Sequence, residues 1–163
     1  MSSPSAKTDL VLTENGAPFE MANRLFFRLY QCSNLMHKNG TQRVSEVGAT
    51  TQQWAVLGAL ARSKVHDKGM TVKELIEFLM VSRQNLTAVL DRLEDRGWIE
   101  RTKDPEDGRS RIIRMTETGD GVWTRMQDTI RRFYGEALSG FSGAEVDMLV
   151  DMLSRLRTGL TET

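Results

Sequence analysis

Between Thr71 and Met115 the chain carries two capped helical segments and then an abrupt change of hydrophobic period, a combination that few folds can satisfy. Thr71-Val-Lys-Glu74 has capping-box spacing, in which each side chain satisfies a free backbone N–H of the other. Leu75, Ile76 and Leu79 give that helix its apolar face. Ser82 is placed to cap a second helix, and Val81 with Leu86 has the spacing of a hydrophobic staple. Leu86, Val89, Leu90 and Leu93 mark its buried side, and Gly97 stands where a left-handed stop is expected. From Trp98 the pattern turns extended. Trp98–Thr102 and Arg111–Met115 flank a turn-forming Asp104-Pro-Glu-Asp-Gly108, which predicts a β-hairpin with a charged tip. Two helices joined by a tight turn and followed by a two-stranded wing form a winged helix-turn-helix.

The flanks are helical. Phe19, Ala22, Phe26, Leu29 and Met36 recur at helical spacing, widened by Leu25 and Cys32, and Asn39-Gly40 is expected to end that helix. Gln42–Thr50 reads as a connection, Thr51–Ala61 as a helix turning Trp54, Leu57, Leu60 and Ala61 inward, and Lys64–Gly69 as polar loop. After the wing, Thr116–Gly121 opens a helix carrying Trp123, Met126, Ile130, Phe133 and Ala137. Ser142 starts a last one with Val146, Leu149, Val150, Leu153, Leu156 and Leu160. The expected fold is mainly α with a small β-hairpin wing: a winged helix-turn-helix bearing N- and C-terminal dimerisation helices. At 163 residues the chain has the length of one domain with short appendages. The expected layout is a flexible arm over 1–18 and a single domain over 19–163. Its winged lobe covers about 51–116, and its dimerisation helices about 19–38 and 117–160.

Charge and composition narrow the function. Lys and Arg number 22 and Asp and Glu 22, yet twelve of the basic residues fall between 62 and 114 beside ten acidic ones. That concentration hints at an anion-facing surface, though a mixed run of charge also simply solvates a face. A single cysteine forbids an internal disulfide, and two histidines are too few for an ordinary zinc site. No metal and no cofactor are expected. The Ser-rich start has no stretch apolar enough for a signal peptide or membrane span, which suits a cytoplasmic protein. Catalysis would need a nucleophile with its base, a carboxylate pair in a cleft, a phosphate loop or a metal cage, and the sequence offers none. The chain does not read as an enzyme.

A winged helix-turn-helix reads duplex DNA by placing its second helix in the major groove and its wing on the phosphates or in the minor groove. At 100° per residue, the buried set of that helix leaves Gln84, Ala88 and Asp91 opposite it, with Asn85, Thr87 and Arg92 on the shoulders. Gln84 and Asn85 can pair with adenine, and Ala88 or the Thr87 methyl can touch a thymine methyl. Ser82, with Arg83 beside it, stands at the helix start where hydroxyl and backbone N–H groups grip a phosphate. Asp91 would repel phosphates unless Arg92 or another base pairs with it. At the wing tip, Arg109 can enter a narrow minor groove, held by a fork-like pairing with Asp107. Arg101, Lys103, Arg111 and Arg114 either contact phosphates or pair with Glu100, Asp104 and Glu106.

Gly97-Trp-Ile-Glu-Arg101, Asp104-Pro-Glu-Asp-Gly-Arg-Ser-Arg111 and Met115-Thr-Glu-Thr-Gly119 resemble the wing signature of MarR-type transcriptional regulators, and Leu75–Leu93 resembles their helix-turn-helix. The likeness runs from about Phe19 to Leu160; the Thr- and Gln-rich stretch Thr50–Leu60 with Trp54 departs from it. The resemblance implies an obligate homodimer built from the first and last helices, a palindromic operator in double-stranded DNA, and a small molecule that relieves repression. The terminal helices carry more apolar surface than a small wing domain covers, so a second copy would bury it, although the three could instead close a monomeric bundle.

The resemblance also places the effector between the dimer helices and the DNA-binding lobe. There Phe26, Phe27, Tyr30, Trp54 and Trp123 would serve as aromatic walls and Arg24, Arg28, His37 or Lys38 as anion partners. Arg24 and Arg28, one turn apart, suit a carboxylate or a phosphate-bearing thioester. A faint likeness to regulators of aromatic-acid catabolism that bind hydroxycinnamoyl thioesters points to an aromatic acid or its CoA ester. Two alternatives stand beside this reading. Some relatives sense peroxide through one cysteine near the first helix, but Cys32 falls on the apolar stripe, where a buried thiol packs rather than reacts. A winged helix can also bind another protein in place of DNA.

Overall fold

The computed structural model describes residues 11–12 and 16–163. The expected arm over 1–18 therefore lies mostly outside the described residues. The chain divides into two compact units, one ending at Asn39 and one beginning at Gly40.

Up to Asn39 the unit is the greater part of α1 (Ala17–Val44). Its stripe is apolar as read, but in the single chain it is open: Phe27 and Tyr30 are 67% and 68% exposed, and Leu25, Phe26, Leu35 and Met36 are exposed as well. Cys32 is exposed too, so the expectation of a packed thiol does not hold for the single chain. Helical spacing shows which side of a helix is apolar and leaves open whether anything covers it.

The second unit holds the last turn of α1, a single 3₁₀ turn at Ser45–Val47, α2 (Thr51–Leu60), β1 (Met70–Thr71), α3 (Val72–Leu79), α4 (Arg83–Asp95), β2 (Ile99–Lys103), β3 (Arg111–Met115), α5 (Glu117–Ala137) and α6 (Gly143–Thr161). Asn39-Gly40 does not end α1. Gly40 is buried, and a Cβ there would lie 2.7 Å from Thr51 Cγ2 and 3.1 Å from the Trp54 ring. The glycine thus serves close helix packing, and tertiary contact overrides the local turn signal. Thr50, read as part of a connection, caps α2 through a full capping box with Gln53.

The capping motifs at Thr71 and Glu74 and at Ser82 are formed as expected, and Gly97 follows α4 at φ 66°. The hairpin is antiparallel with Arg101 opposite Ile113, and β1 adds a third strand by pairing Met70 with Ile113. The sheet order is β1-β3-β2, so β3 is central. Two residues are too few to show a two-residue period, which is why β1 is silent in the sequence.

Leu57, Leu60, Leu75, Leu86, Leu90, Leu93, Ile99, Ile113 and Met126 form one fully buried core, to which α5 also contributes Val122 and Ile130. Trp54, Trp123 and Phe133 are only half-buried and Ala137 is exposed, so the inward faces of α2 and α5 are narrower than their apolar patterns. In α6 no residue is buried, and Met148, Val150, Met152, Leu153 and Leu160 are exposed.

Candidate nucleic-acid interface

Leu86, Val89, Leu90 and Leu93 anchor α4 in the core, and this fixes what the helix shows outward. Ser82, Arg83, Gln84, Asn85, Thr87, Ala88 and Arg92 are all exposed. Ser82 Oγ accepts the Asn85 N–H at 3.2 Å, so its own hydroxyl proton stays available to a phosphate. Thr87 Oγ1 donates to the Arg83 carbonyl at 2.8 Å. The hydroxyl proton of the exposed Thr87 is thus occupied within its own helix.

Two aspartates shape the wing tip. Asp104 Oδ1 accepts the Glu106 N–H at 2.9 Å, and Asp107 Oδ1 accepts the Arg109 N–H at 3.0 Å. Asp107 therefore holds the Arg109 backbone in an Asx turn, and the expected fork with the guanidinium is not formed. The Ser110 N–H donates to the Asp107 carbonyl at 2.8 Å and closes the tip, from which Arg109 projects exposed. Lys103 and Arg111 are exposed along the strands.

Two of the strand cations are engaged within the lobe. Arg114 donates to Thr102 Oγ1 at 2.8 Å and to the Asp67 carbonyl at 3.3 Å. Arg101 crosses to α4, where Nη2 donates to Asp91 and Nε lies 3.2 Å from a Glu94 carboxylate oxygen, an ion-pair distance at an angle too poor for a hydrogen bond. Asp91 thus pairs with Arg101 rather than Arg92. The sign of this arrangement in the sequence is the spacing of Asp91 and Glu94, three residues apart on α4 and so neighbours on the helix surface.

The loop before β1 is tied to the start of α5. His66 Nε2 lies 2.8 Å from Asp120 Oδ1 and Nδ1 lies 3.2 Å from Asp67 Oδ1. The hydrogen bond to Asp120, then that to Asp67, raises the imidazole above its ordinary value of 6.5. A neutral ring could donate to only one of the two carboxylates.

The residues expected to meet an effector fall in three places. Arg24, Phe27 and Arg28 line a shallow depression along α1 with Met21, Leu25 and Gln31, where Arg28 donates to Gln31 at 2.9 Å. Phe26, Tyr30, His37 and Lys38 are exposed elsewhere on the same helix. Trp54 sits against Phe133 and Tyr134 with ring centroids 6.1 and 5.7 Å apart, while Trp123 lies on Gly58. Burial pushes the Tyr134 phenol up.

Known proteins share this pattern. The MarR family profile matches residues 47–110, which span α2, both helices of the helix-turn-helix and most of the wing. The transcriptional activatory protein BadR of Rhodopseudomonas palustris is 49% identical over 149 residues, covering 90% of this chain and 85% of BadR. The chain belongs to the MarR family. The fold is also similar to that in the crystal structure of the S. aureus MepR–DNA complex, at a TM-score of 0.71 and 19% identity over 82% of this chain and 96% of that one. The PcaV regulator of Streptomyces coelicolor, solved with its natural ligand, is similar at a TM-score of 0.66 and 27% identity over 91% of this chain and 96% of PcaV. This MarR protein is a DNA-binding transcriptional regulator and not an enzyme. Among the described residues no helix is long and apolar enough to cross a membrane.

Proposed function

We propose that the protein binds a palindromic operator as a cytoplasmic homodimer and changes its hold on DNA when a small aromatic acid, or its CoA thioester, binds. The observation that carries this reading is the outward face of α4. Ser82, Gln84, Thr87 and Ala88 stand exposed with phosphate- and base-contacting groups, and the wing aims Arg109 from a closed turn. In this reading Gln84, Asn85, Thr87 and Ala88 contact base edges. Ser82, Arg83, Arg92 and Arg111 contact phosphates, and Arg109, its backbone held by Asp107, enters the minor groove. The open apolar residues of α1 and α6 pair with a second copy and place two α4 helices about 34–36 Å apart, one turn of DNA.

Arg24 and Arg28 hold the effector's anionic end, and its ring packs on Phe27 beside them on α1. The reading draws support from PcaV, solved with its natural ligand, and from MepR, solved on DNA. An operator overlapping the polymerase site gives repression, and one placed upstream gives activation, the role in BadR's name.

The test is retardation of the protein's own promoter fragment with and without aromatic acids and their thioesters. Bound fragment released by one of these compounds is expected. A thermal-shift screen in which none raises the melting temperature would reject the effector class. Arg28→Ala should keep DNA affinity and lose the response.

A further inference from the structure

We propose that Arg101 is a positioning residue for DNA binding: reaching from β2, it cancels carboxylate charge that α4 would otherwise turn toward the phosphates. The inference rests on the reading of α4 as the DNA-facing helix. Asp91 shares the outward side of α4 with Gln84 and Ala88, and Glu94 stands next to it one turn on. A carboxylate there opposes DNA unless a cation holds it.

Arg101 does so from the flank. Its side chain is 24% exposed against 56% for Asp91 and 44% for Glu94, so the guanidinium is the most enclosed member of the cluster. Its Nε is buried without a hydrogen-bond partner, and Glu94 stands 3.2 Å from it. A guanidinium keeps its charge at every working pH, and its planar fork can face two acids at once, which a lysine could not do from this position. One cation against two carboxylates leaves the cluster net negative, so the cancellation is partial. The same contacts join wing to recognition helix, because β2 continues directly into the loop that carries Arg109.

The proposal separates a role in charge from a role in scaffolding. Arg101→Met should weaken binding to the promoter fragment about tenfold or more at low salt, as expected when two close charges lose their partner. Adding Asp91→Asn and Glu94→Gln to that variant should restore affinity to within about threefold of wild type, since the two carboxylates that Arg101 faces are then neutral. A purely structural arginine would not be rescued this way. With Arg101 intact, the Asn/Gln pair should bind several-fold tighter and show a log affinity against log salt slope steeper by about one phosphate contact, because the freed guanidinium turns to DNA.

Recovery in the triple variant, or tighter and more salt-dependent binding in the pair, supports the inference. A triple variant that keeps native circular dichroism yet stays as weak as Arg101→Met overturns it. Should Arg101→Met fail to fold, the pair decides, and unchanged affinity and slope there overturn it. A wild-type chain that retards no fragment overturns the DNA-binding reading as well, whereas binding by wild type beside unaltered variants overturns this inference alone.

Discussion

Arg109 and Asp107 divide one task at the wing tip. Asp107 spends its carboxylate on the Arg109 N–H, so the guanidinium is aimed by backbone geometry and remains available. Arg109→Ala should therefore weaken operator binding by about 1–3 kcal/mol in gel retardation, with helix content and dimerisation unchanged. Unaltered affinity would remove the wing from the mechanism. Gln84→Ala should relax preference at one base position more than it lowers nonspecific affinity, measured by competition between operators that differ at single positions. At this scale the sequence shows residue types and faces but not partners. Which residues of α4 point outward was legible from the Leu86, Val89, Leu90 and Leu93 spacing, because burial of that stripe leaves no other choice. That Arg101 and Arg114 turn inward was not, since Asp67 is 47 residues from Arg114 and Asp91 is ten from Arg101 across the wing.

Helices and strands declare themselves when their signals are local. Thr71, Ser82 and Ser142 each cap a helix by accepting an N–H three residues on, a contact written within one turn of sequence. Thr71→Ala should cost about 0.5–2 kcal/mol of stability in urea unfolding, because it removes the hydroxyl that accepts the Glu74 N–H at the start of α3, while the backbone N–H of residue 71 keeps its bond to the Glu74 carboxylate. Signals that depend on distant packing mislead. Asn39-Gly40 looks like a stop, yet α1 continues because Gly40 lets Thr51 and Trp54 approach. Gly119 has a similar duty at the start of α5, where a Cβ would lie 2.0 Å from the Trp98 carbonyl oxygen and 2.7 Å from Met115 Cγ. That oxygen already accepts the Thr116 N–H at 3.1 Å. Gly119→Ala must push α5 off the end of the wing, with an expected loss of about 1–3 kcal/mol or more in the same unfolding assay. A variant as stable as wild type would show that α5 is free to shift.

Across the whole molecule, charge and apolar surface set the conditions for assembly. His66 joins the loop before β1 to α5 through Asp120 and Asp67, and its folded value is raised above 6.5. A raised histidine contributes stability that is fully present below 6.5 and is lost as pH climbs through the folded value. The melting temperature of wild type relative to His66→Gln should thus be higher in mild acid and converge at alkaline pH; because the ring is 41% exposed, solvent mutes the difference. A gap that widens with pH would reverse the assignment. Exposed apolar residues line α1 and, separately, α6, and the proposed remedy for each is a second copy. Lysines at Val150 and Leu153 should raise the monomer fraction in sedimentation. The most direct test of the account is a titration of the protein's own promoter fragment at two salt concentrations, with complex mass read by sedimentation. The account predicts two chains per operator and affinity that falls steeply with salt, as several phosphate contacts require. A complex holding one chain, or binding indifferent to salt, would contradict it.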